Sequence, residues 1–340
     1  ASQFNRATSG LRQAGSGFKP FLYYTAFKNL GFHPATIMTD RPVTVAVKGA
    51  KDWRPLNFSR TFKGDMILKN ALTHSVNTVA AQLVEQAGPE AVIETARACG
   101  IRSPLKSVFS VALGTSGVSP LEMASAYATL ASLGIRHEPF LVKRVEDAFG
   151  RVVFEQIVQG KRVLDQATAF QVVDMMKAVI DTGSGRSIRK LGFERPAAGK
   201  TGTTDSYNDA WFSGFTPTLS VSVWTGFDRE KKLTDKNGVG ITGGRGAAPI
   251  WGDFMTQALK SDPERDFPIP DDIRFEAVDP VTGCPPPAPE NLSPENPGRA
   301  EPGPDETAVP TAPTPVVEPQ RPLVKVALKP GQYPCGENVQ

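Results

Sequence analysis

The chain has 340 residues, of which 40% are hydrophobic and 21% charged, and its formal net charge is +3. These values are ordinary for a globular protein, and the length allows one large domain or two small ones. The small net charge argues against a nucleic-acid partner. No run of 18 apolar residues occurs, so we predict no transmembrane helix within this sequence.

Metal-binding residue types are sparse and scattered. The three histidines, His33, His74 and His137, lack a zinc-like spacing, and three cysteines form neither a metal motif nor a disulfide framework. Cys99 lies in an apolar helical pattern and is predicted to be a buried thiol. Cys284 and Cys335 flank the tail and could pair in an oxidising compartment, but the sequence leaves their pairing open.

Apolar periodicity predicts a mixed chain. The predicted helices cover residues 16–30, 65–74, 78–86, 89–100, 120–134, 165–181 and 247–259. The predicted strands cover residues 43–47, 140–145, 151–154, 211–215 and 219–227, the second and third forming a hairpin. A mostly helical segment at about 63–134 and an antiparallel sheet flanked by helices indicate the α+β class. In the last helix, we expect Ile250, Phe254, Met255 and Ala258 to face the sheet.

The composition changes near the C-terminus. Half of the 30 prolines lie in residues 285–340, where acidic residues outnumber basic ones. Such a segment is typical of a disordered or extended tail. We therefore predict a folded domain over 1–283 and a proline-rich, disordered tail over 284–340.

The pattern Ser16-x-x-Lys19 lies at the start of the first predicted helix. Residues three apart share a helix face, so the lysine amine can approach the serine hydroxyl. A hydroxyl needs a neighbouring base to become a nucleophile, and a lysine of lowered pKa can supply one. Alone, this short pattern also fits a surface serine and a solvated lysine.

Two further short patterns follow downstream. Ser75-x-Asn77 falls between two predicted helices and by itself would fit a helix cap. Lys200-Thr201-Gly202 precedes the two predicted sheet strands, and we expect it to lie on a strand next to a sheet edge. It is not a P-loop, because Glu194 stands where that motif requires its first glycine.

Together the three patterns form the ordered set S-x-x-K, S-x-N and K-T-G. Flanking segments strengthen the match, among them residues 4–8, 12–21, 112–115, 200–205, 211–212, 224–228, 243–244 and 247–251. In these segments the chain resembles the transpeptidase domain of class A, bifunctional penicillin-binding proteins, over roughly residues 1–283. The resemblance implies the β-lactamase/transpeptidase-like fold.

The resemblance also implies a D,D-transpeptidase that cross-links peptidoglycan stem peptides. Ser16 would attack the penultimate carbonyl of D-alanyl-D-alanine, with Lys19 as base. Ser75 would carry a proton between Lys19 or Lys200 and the leaving amine. β-Lactams would mimic the donor and acylate Ser16, and no metal or organic cofactor is implied.

The remaining positions are implied to bind substrate. Asn77 would hydrogen-bond the donor peptide, and the hydroxyls of Thr201 and Thr203 would bind its carboxylate beside the charge of Lys200. Gly202 would let the substrate lie close to the strand edge. The backbone N–H groups of Ser16 and Thr203 would form the oxyanion hole.

The sequence departs from the family pattern in two respects. Gly17 stands where we expect serine in many members, and a small residue there should be harmless. The chain begins at Ala1, so we expect the membrane anchor, the glycosyltransferase domain and the first strands of the transpeptidase domain to be missing. The complete protein would be anchored on the periplasmic face of the cell membrane, and the truncated chain would not be fully stable.

Alternatives on the same fold are a D,D-carboxypeptidase and a β-lactamase, which pass the acyl group to water. A β-lactamase would need a deacylating base, and Glu194 is in the relevant region without resembling that loop. A non-catalytic penicillin-sensing domain is an alternative of a different class. Coincidence of all three motifs is the weakest interpretation, because their order and flanks agree.

Overall fold

A computed structural model describes residues 3–286 and 321–335. The α-helices among these residues are α1 Arg6–Ser9, α2 Lys19–Asn29, α3 Leu68–Thr73, α4 Asn77–Ala87, α5 Pro89–Ala98, α6 Pro120–Ala131, α7 Gln166–Asp181, α8 Ser187–Lys190 and α9 Ala247–Ala258. Short 3₁₀ helices cover Gly15–Phe18 and Phe109–Leu113. In the part of the chain that the structure describes, no helix has the length and apolar character needed to cross a membrane.

The strands pair throughout in antiparallel fashion. They are β1 Arg12–Gln13, β2 Ile37–Asp40, β3 Gly64–Ile67, β4 Gly117–Val118, β5 Ile135–Arg136, β6 Arg144–Glu146, β7 Val152–Glu155, β8 Lys161–Arg162, β9 Ala198–Thr203, β10 Asp209–Phe215, β11 Ser220–Gly226, β12 Arg274–Val278 and β13 Val324–Leu328. The predicted α+β class is confirmed.

The largest sheet has the order β11–β10–β9, so β9 is an edge strand. The middle strand β10 is buried along its whole length, and its side chains alternate between two cores. Trp211 and Phe215 join the core formed with the helices α2, α6 and α7. Phe212 points the other way, where its ring lies 5.2 Å from that of Trp251 on α9. The edge of β9 is therefore free to face the loops that carry the motifs.

Helix α2 is the centre of the larger core. Every residue from Lys19 to Phe27 is buried, because α4, α5 and α7 pack around it. Full burial explains why this helix shows no amphipathic stripe. The helix therefore places Lys19, its first residue, in the protein interior.

Most predicted elements agree with the structure, and several differ. The predicted strand 140–145 is shorter in the structure, because β6 begins only at Arg144. Residues 64–67 are strand β3 rather than helix, because Gly64 has a φ of +75° and the next residues pair with β2. Residues 43–47 make only a single bridge, between Val45 and Trp53, because Val43 and Val45 pack on Ala81 of α4 instead.

The predicted face of α9 is right for Met255, which is buried with Trp251 against the sheet. It is wrong for Ile250 and Phe254, which are half exposed, and for Ala258, which is exposed. Trp251 takes the buried position because its large ring fills the space against the sheet. Its indole N–H also donates to carbonyl oxygens of β10 and β11.

The prediction of disorder is wrong for residues 321–335 of the tail. Here β13 pairs with β12, and Val326, Ala327 and Leu328 are buried. A disulfide joins Cys284 to Cys335, the pairing that the sequence left open. Residues 287–320 and 336–340 of the predicted tail lie outside the described residues.

Candidate active site

Ser16 is the only residue between Ala14 and Phe27 that is not buried. It lies in the 3₁₀ helix that precedes α2. A 3₁₀ helix has three residues per turn, so Ser16 and Lys19 lie on the same side. Neither the hydroxyl nor the backbone N–H of Ser16 has a hydrogen-bond partner among the described residues. The serine is thus partly exposed, has no hydrogen-bond partner among the described residues, and stands three residues before a buried amine.

Lys19 is fully buried, and its ammonium group is surrounded by neutral acceptors. Nζ donates to the carbonyl oxygens of Ser75 (2.7 Å) and Val76 (3.1 Å) and to Oδ1 of Asn77 (2.8 Å). No carboxylate compensates its charge in this set. Burial, and then the positive charge of Lys200, lower the pKa of Lys19 well below its usual value. This lysine is therefore suited to accept a proton.

The Ser75 hydroxyl lies between two lysines. Its Oγ is 2.8 Å from Nζ of Lys200 and 3.3 Å from Nζ of Lys19. Burial lowers the pKa of Lys200 to about 7. Ser75 itself has a φ of +60°, a left-handed conformation that non-glycine residues rarely adopt. Such a backbone outlier within a polar cluster is typical of a functional site.

Asn77 is the first residue of α4, and its side-chain amide is largely used inside the protein. Oδ1 accepts from Lys19, and Nδ2 donates to the carbonyl oxygen of Leu56 at 2.9 Å. An amide nitrogen carries two hydrogens, so one donor is left. Asn77 thus positions Lys19 in the structure, and its predicted contact with the donor peptide stays a prediction.

The Lys200-Thr201-Gly202 run lies on β9, as predicted. The hydroxyl of Thr201 is 2.7 Å from that of Ser184, and the hydroxyl of Thr203 accepts from the N–H of Gly243 at 2.9 Å. Gly202 is explained by packing alone, because a Cβ there would lie 2.1 Å from the carbonyl oxygen of Ala14.

The backbone next to Ser16 lies close to the end of strand β9. Gly15 has a φ of +57°, and a Cβ at this position would lie 2.7 Å from the carbonyl oxygen of Thr203. The N–H of Thr204 donates to the carbonyl oxygen of Asp209 on β10. Because bonding directions alternate along an antiparallel strand, the N–H of Thr203 points away from β10. The N–H groups of Ser16 and Thr203, neither of which is bonded within residues 3–286 and 321–335, therefore belong to segments in direct contact.

The structure also brings together residues that the sequence analysis missed. Oδ1 of Asn57 accepts from the backbone N–H groups of Asn77 (2.9 Å) and Thr78 (3.3 Å), and so caps α4 from a distant loop. Asn57 in turn donates to the buried carboxylate of Asp40. No sequence pattern pointed to Asn57, because Ser75-x-Asn77 already fitted a helix cap, whereas in the structure α4 has no capping side chain of its own. For Ser184, the signal was a run of small residues directly after α7.

Metal ligation is not part of this cluster. Within residues 3–286 and 321–335, no group of three or more His, Cys, Asp or Glu side chains is arranged to hold a metal ion.

Position 17 has room for either glycine or serine. A Cβ added to Gly17 would make only ordinary contacts, the nearest at 3.5 Å from Met123.

Comparison with known protein families identifies the chain. The model of the penicillin binding protein transpeptidase domain matches residues 2–238. The chain belongs to this family, whose members are penicillin-binding transpeptidases and thus acyltransferases. The family resemblance inferred from the motifs is confirmed.

Curated relatives are considerably longer than this chain. It is 39% identical to penicillin-binding protein 1A of Aquifex aeolicus over 270 residues, covering 79% of the chain and 36% of the relative. It is 36% identical to penicillin-binding protein 2D of Bacillus subtilis over 291 residues, covering 83% of the chain and 41% of the relative. The chain therefore spans about two fifths of their length.

Solved structures confirm the transpeptidase-like fold. Penicillin-binding protein 1A from Haemophilus influenzae superposes with a TM-score of 0.78 at 28% identity, over 85% of this chain and 48% of that one. PonA1 from Mycobacterium tuberculosis, solved in complex with penicillin V, superposes with a TM-score of 0.69 at 30% identity, over 78% of this chain and 74% of that one.

Proposed function

We propose that this chain is a peptidoglycan D,D-transpeptidase domain that works through an acyl-enzyme on Ser16. The observation that carries the proposal is the placement of Lys19, Ser75 and Lys200 in one hydrogen-bonded array next to the unpartnered hydroxyl of Ser16. Family membership supports the same activity, as does the penicillin V bound to the related PonA1.

Acylation begins with proton transfer from the Ser16 hydroxyl to the neutral amine of Lys19. The Ser16 oxygen then attacks the penultimate carbonyl of a stem peptide ending in D-alanyl-D-alanine. The N–H groups of Ser16 and Thr203 stabilise the resulting oxyanion, and each such donor is typically worth about 3 kcal/mol. The C–N bond breaks, and a proton passes from Lys19 through Ser75 to the departing amine of D-alanine.

Transfer reverses these proton movements. The neutral amine of a second stem peptide attacks the ester carbonyl, and its proton returns through Ser75 to Lys19. The bond from the carbonyl carbon to the Ser16 oxygen then breaks, and Lys19 reprotonates that oxygen. One amide bond has been exchanged for another, so no cofactor or energy source enters the balance.

Substrate positioning is assigned to the strand edge. The hydroxyls of Thr201 and Thr203 bind the terminal carboxylate of the donor, next to the ammonium group of Lys200. The remaining N–H of Asn77 binds the donor backbone. Gly202 keeps the edge flat by allowing β9 to lie against Ala14.

Penicillin acylation of a Ser16→Ala variant tests the nucleophile. We expect the unmodified chain to be labelled covalently by a fluorescent penicillin and the variant to show no labelling, with unchanged circular dichroism and melting temperature. Ser9→Ala, which removes an exposed serine of α1, is the matched control and should keep full labelling. Labelling of the folded Ser16→Ala variant would refute the assignment.

Hydrolytic alternatives differ in how fast the acyl-enzyme is lost. Among the residues that the structure describes, Lys19, Ser75 and Lys200 form no hydrogen bond with a carboxylate that could activate water, and Glu194 is exposed before β9. A long-lived penicilloyl-enzyme is therefore expected. Release of penicilloate within seconds would favour a β-lactamase, and release of free acid from peptide donors despite added amine would favour a carboxypeptidase.

We further propose that the complete protein acts outside the cytoplasm, anchored in the membrane and linked to a glycosyltransferase domain. The disulfide Cys284–Cys335 supports an oxidising compartment. The greater length of the curated relatives leaves room for further segments. The upstream coding sequence tests this: a transmembrane helix and a glutamate-bearing glycosyltransferase domain are expected there.

A further inference from the structure

A cleft of ≈ 670 Å³ opens next to Ser75. Its walls are the turn between α3 and α4, the loop around Asn57, the turn between α7 and α8, and the loop at 242–245. Ser75 is the one member of the proposed proton path that lines it, whereas Ser16 and Lys19 do not. The cleft therefore extends from the site on the side away from the nucleophile.

The cleft carries an excess of positive charge. The side chains of Lys63, Arg186 and Lys190 line it, are exposed, and have no hydrogen-bond or ion-pair partner among residues 3–286 and 321–335. A fourth cation, Arg245, is paired with Asp235. Three unpaired cations around one concave surface create a positive potential that attracts anions.

The one carboxylate in the cleft wall does not neutralise these cations. Asp40 is only 2% exposed, and its oxygens accept from the side chains of Asn57 and Thr78 and from the backbone N–H of Lys63. The carboxylate of Asp40 therefore joins the loop that contains Asn57 and Lys63 to helix α4. The free charge of the cleft remains positive, and we refer to it as the basic cleft.

The position of the basic cleft relative to the reaction is defined by two contacts. Ser75 lies in its wall and hands the proton to the leaving amine in the proposed mechanism. Ser184, also in the wall, contacts the hydroxyl of Thr201, which binds the carboxylate of the leaving D-alanine. The basic cleft thus continues from the place that the leaving group vacates.

We infer that the basic cleft binds the acceptor, the second stem peptide, and that this acceptor carries carboxylates in addition to its attacking amine. The inference rests on the proposed transpeptidase function. The acceptor amine must approach the ester carbonyl where the leaving amine departed, because the same Ser75 path then removes its proton. The rest of the acceptor extends into the cleft, where Lys63, Arg186 and Lys190 meet its carboxylates.

The transfer step needs no group beyond those already named. The acceptor nitrogen forms a bond to the carbonyl carbon, and its proton passes through Ser75 to Lys19. The bond from that carbon to the Ser16 oxygen breaks, and this oxygen takes the proton back. The cations of the basic cleft take no part in bond making, so they are specificity residues for the acceptor.

The test compares two acceptors on one donor. The donor is a thioester analogue of acyl-D-alanine, and the acceptor is a tripeptide of alanine, glutamate and diaminopimelate with a free side-chain amine. The second acceptor is the same tripeptide with amides on the glutamate carboxylate and on the diaminopimelate carboxylate distant from the reacting amine. The measured quantity is the ratio of transfer product to hydrolysis product.

The variant carries Lys63→Glu, Arg186→Glu and Lys190→Glu. We expect penicillin acylation to stay within about twofold, while the transfer ratio with the carboxylated acceptor falls about tenfold, as three weakened charge contacts imply. With the amidated acceptor, the transfer ratios of the unmodified chain and the triple variant should differ by less than about twofold. With the carboxylated acceptor, added salt should lower the transfer ratio of the unmodified chain but not that of the triple variant. The matched control, Lys28→Glu, Lys51→Glu and Lys260→Glu, changes three exposed lysines that do not line the cleft.

The possible failures are distinguishable. Equal loss with both acceptors, or no loss with either, would overturn the acceptor assignment while acylation still supports the proposed function. An equal loss in the control triple variant would also overturn it, by showing a general effect of net charge. If the unmodified chain is not acylated at all, the proposed function fails, and the acceptor assignment falls with it.

Discussion

Two buried lysines that share one serine define the chemistry at the scale of single residues. An ammonium group in an apolar interior is unfavourable unless an anion compensates it. Here the partners of Lys19 and Lys200 are hydroxyl, amide and carbonyl oxygens, so burial lowers both pKa values. In the proposed mechanism Lys19, with its lowered pKa, acts as the base, so no histidine is needed.

The charge of Lys200 predicts a pH dependence for carboxylated substrates. The pKa of about 7 means that Lys200 is charged below that pH and neutral above it. Loss of the charge weakens the hydrogen bonds offered to the substrate carboxylate. Acylation by penicillin should therefore fall about tenfold, relative to its methyl ester, as the pH rises from about 6 to about 8.5. The measurement is the second-order rate constant of acylation for both compounds. Parallel profiles for acid and ester would contradict this role of Lys200.

Gly15 is predicted to be irreplaceable for geometric reasons. A side chain there would require a left-handed backbone and would contact the backbone of Thr203. Gly15→Ala should lower the free energy of unfolding by at least about 2 kcal/mol and slow acylation by more than about tenfold, because Ser16 and Thr203 move apart. Denaturant unfolding and penicillin acylation measure the two effects. Gly31→Ala is the control: its φ is +70°, but no atom lies within 4 Å of the added Cβ. It should show the backbone cost and keep normal acylation.

At the scale of elements, the α3–α4 turn is held from outside. The loop between β2 and β3 delivers Asn57 to the N-terminus of α4, where the first N–H groups lack a partner within the helix. The same loop contributes the carbonyl oxygen of Leu56 to Asn77. The left-handed conformation of Ser75 is therefore supported on its C-terminal side, where a loop distant in sequence fixes Asn77 and Thr78.

Removal of this long-range cap should affect activity as well as stability. Asn57→Ala should reduce the free energy of unfolding by about 1–2 kcal/mol, the usual value of a lost N-cap. Because the cap also fixes Ser75 and Asn77, the acylation rate should fall at least about tenfold, which corresponds to about 1.4 kcal/mol of misplacement. Asn70→Ala, on the adjoining helix α3, is the control, since the Asn70 side chain has no hydrogen bond within the described residues. Unchanged acylation in folded Asn57→Ala would show that the turn is self-supporting.

At the scale of the whole molecule, the C-terminal strand is fastened to α3 and α7, the helices that directly precede the turns at Ser75 and Ser184. Lys69 of α3 donates to Asp174 of α7 at 2.6 Å and to the carbonyl oxygen of Lys325 on β13 at 2.7 Å. Gln171 of α7 donates to the carbonyl oxygen of Ala327 at 2.9 Å. The strand therefore covers the outer side of α3 and α7, and the disulfide holds its far end.

Loss of the disulfide should destabilise the domain through its unfolded state. Cys284 and Cys335 are 51 residues apart, and closing a loop of this length is worth about 4 kcal/mol in the chain-entropy description. Reductant, or the double change Cys284→Ser and Cys335→Ser, should lower the melting temperature and speed amide exchange at residues 274–278 and 324–328. Reductant should have no effect on the double variant. Equal exchange in both redox states would show that strand pairing alone holds the C-terminus.

The local parts of this protein could be predicted from its sequence. The spacing of Ser16 and Lys19, the turn at Ser75, the strand at Lys200 and most helices depend on residues near one another in the chain. The local periodicity, capping residues and glycines of the sequence therefore predict these elements. The ordered set of three motifs with its flanks was specific enough to identify the family and the fold class before any coordinates.

The tertiary structure decided how these parts meet. Lys19 and Lys200 reach Ser75 across 56 and 125 residues, and only their convergence determines which acceptors surround each ammonium group. The cap from Asn57, the strand at 324–328 and the basic cleft likewise arise from contacts between distant segments. Short-range periodicity cannot encode them, because burial, pKa and charge depend on what packs against a residue rather than on its neighbours in sequence.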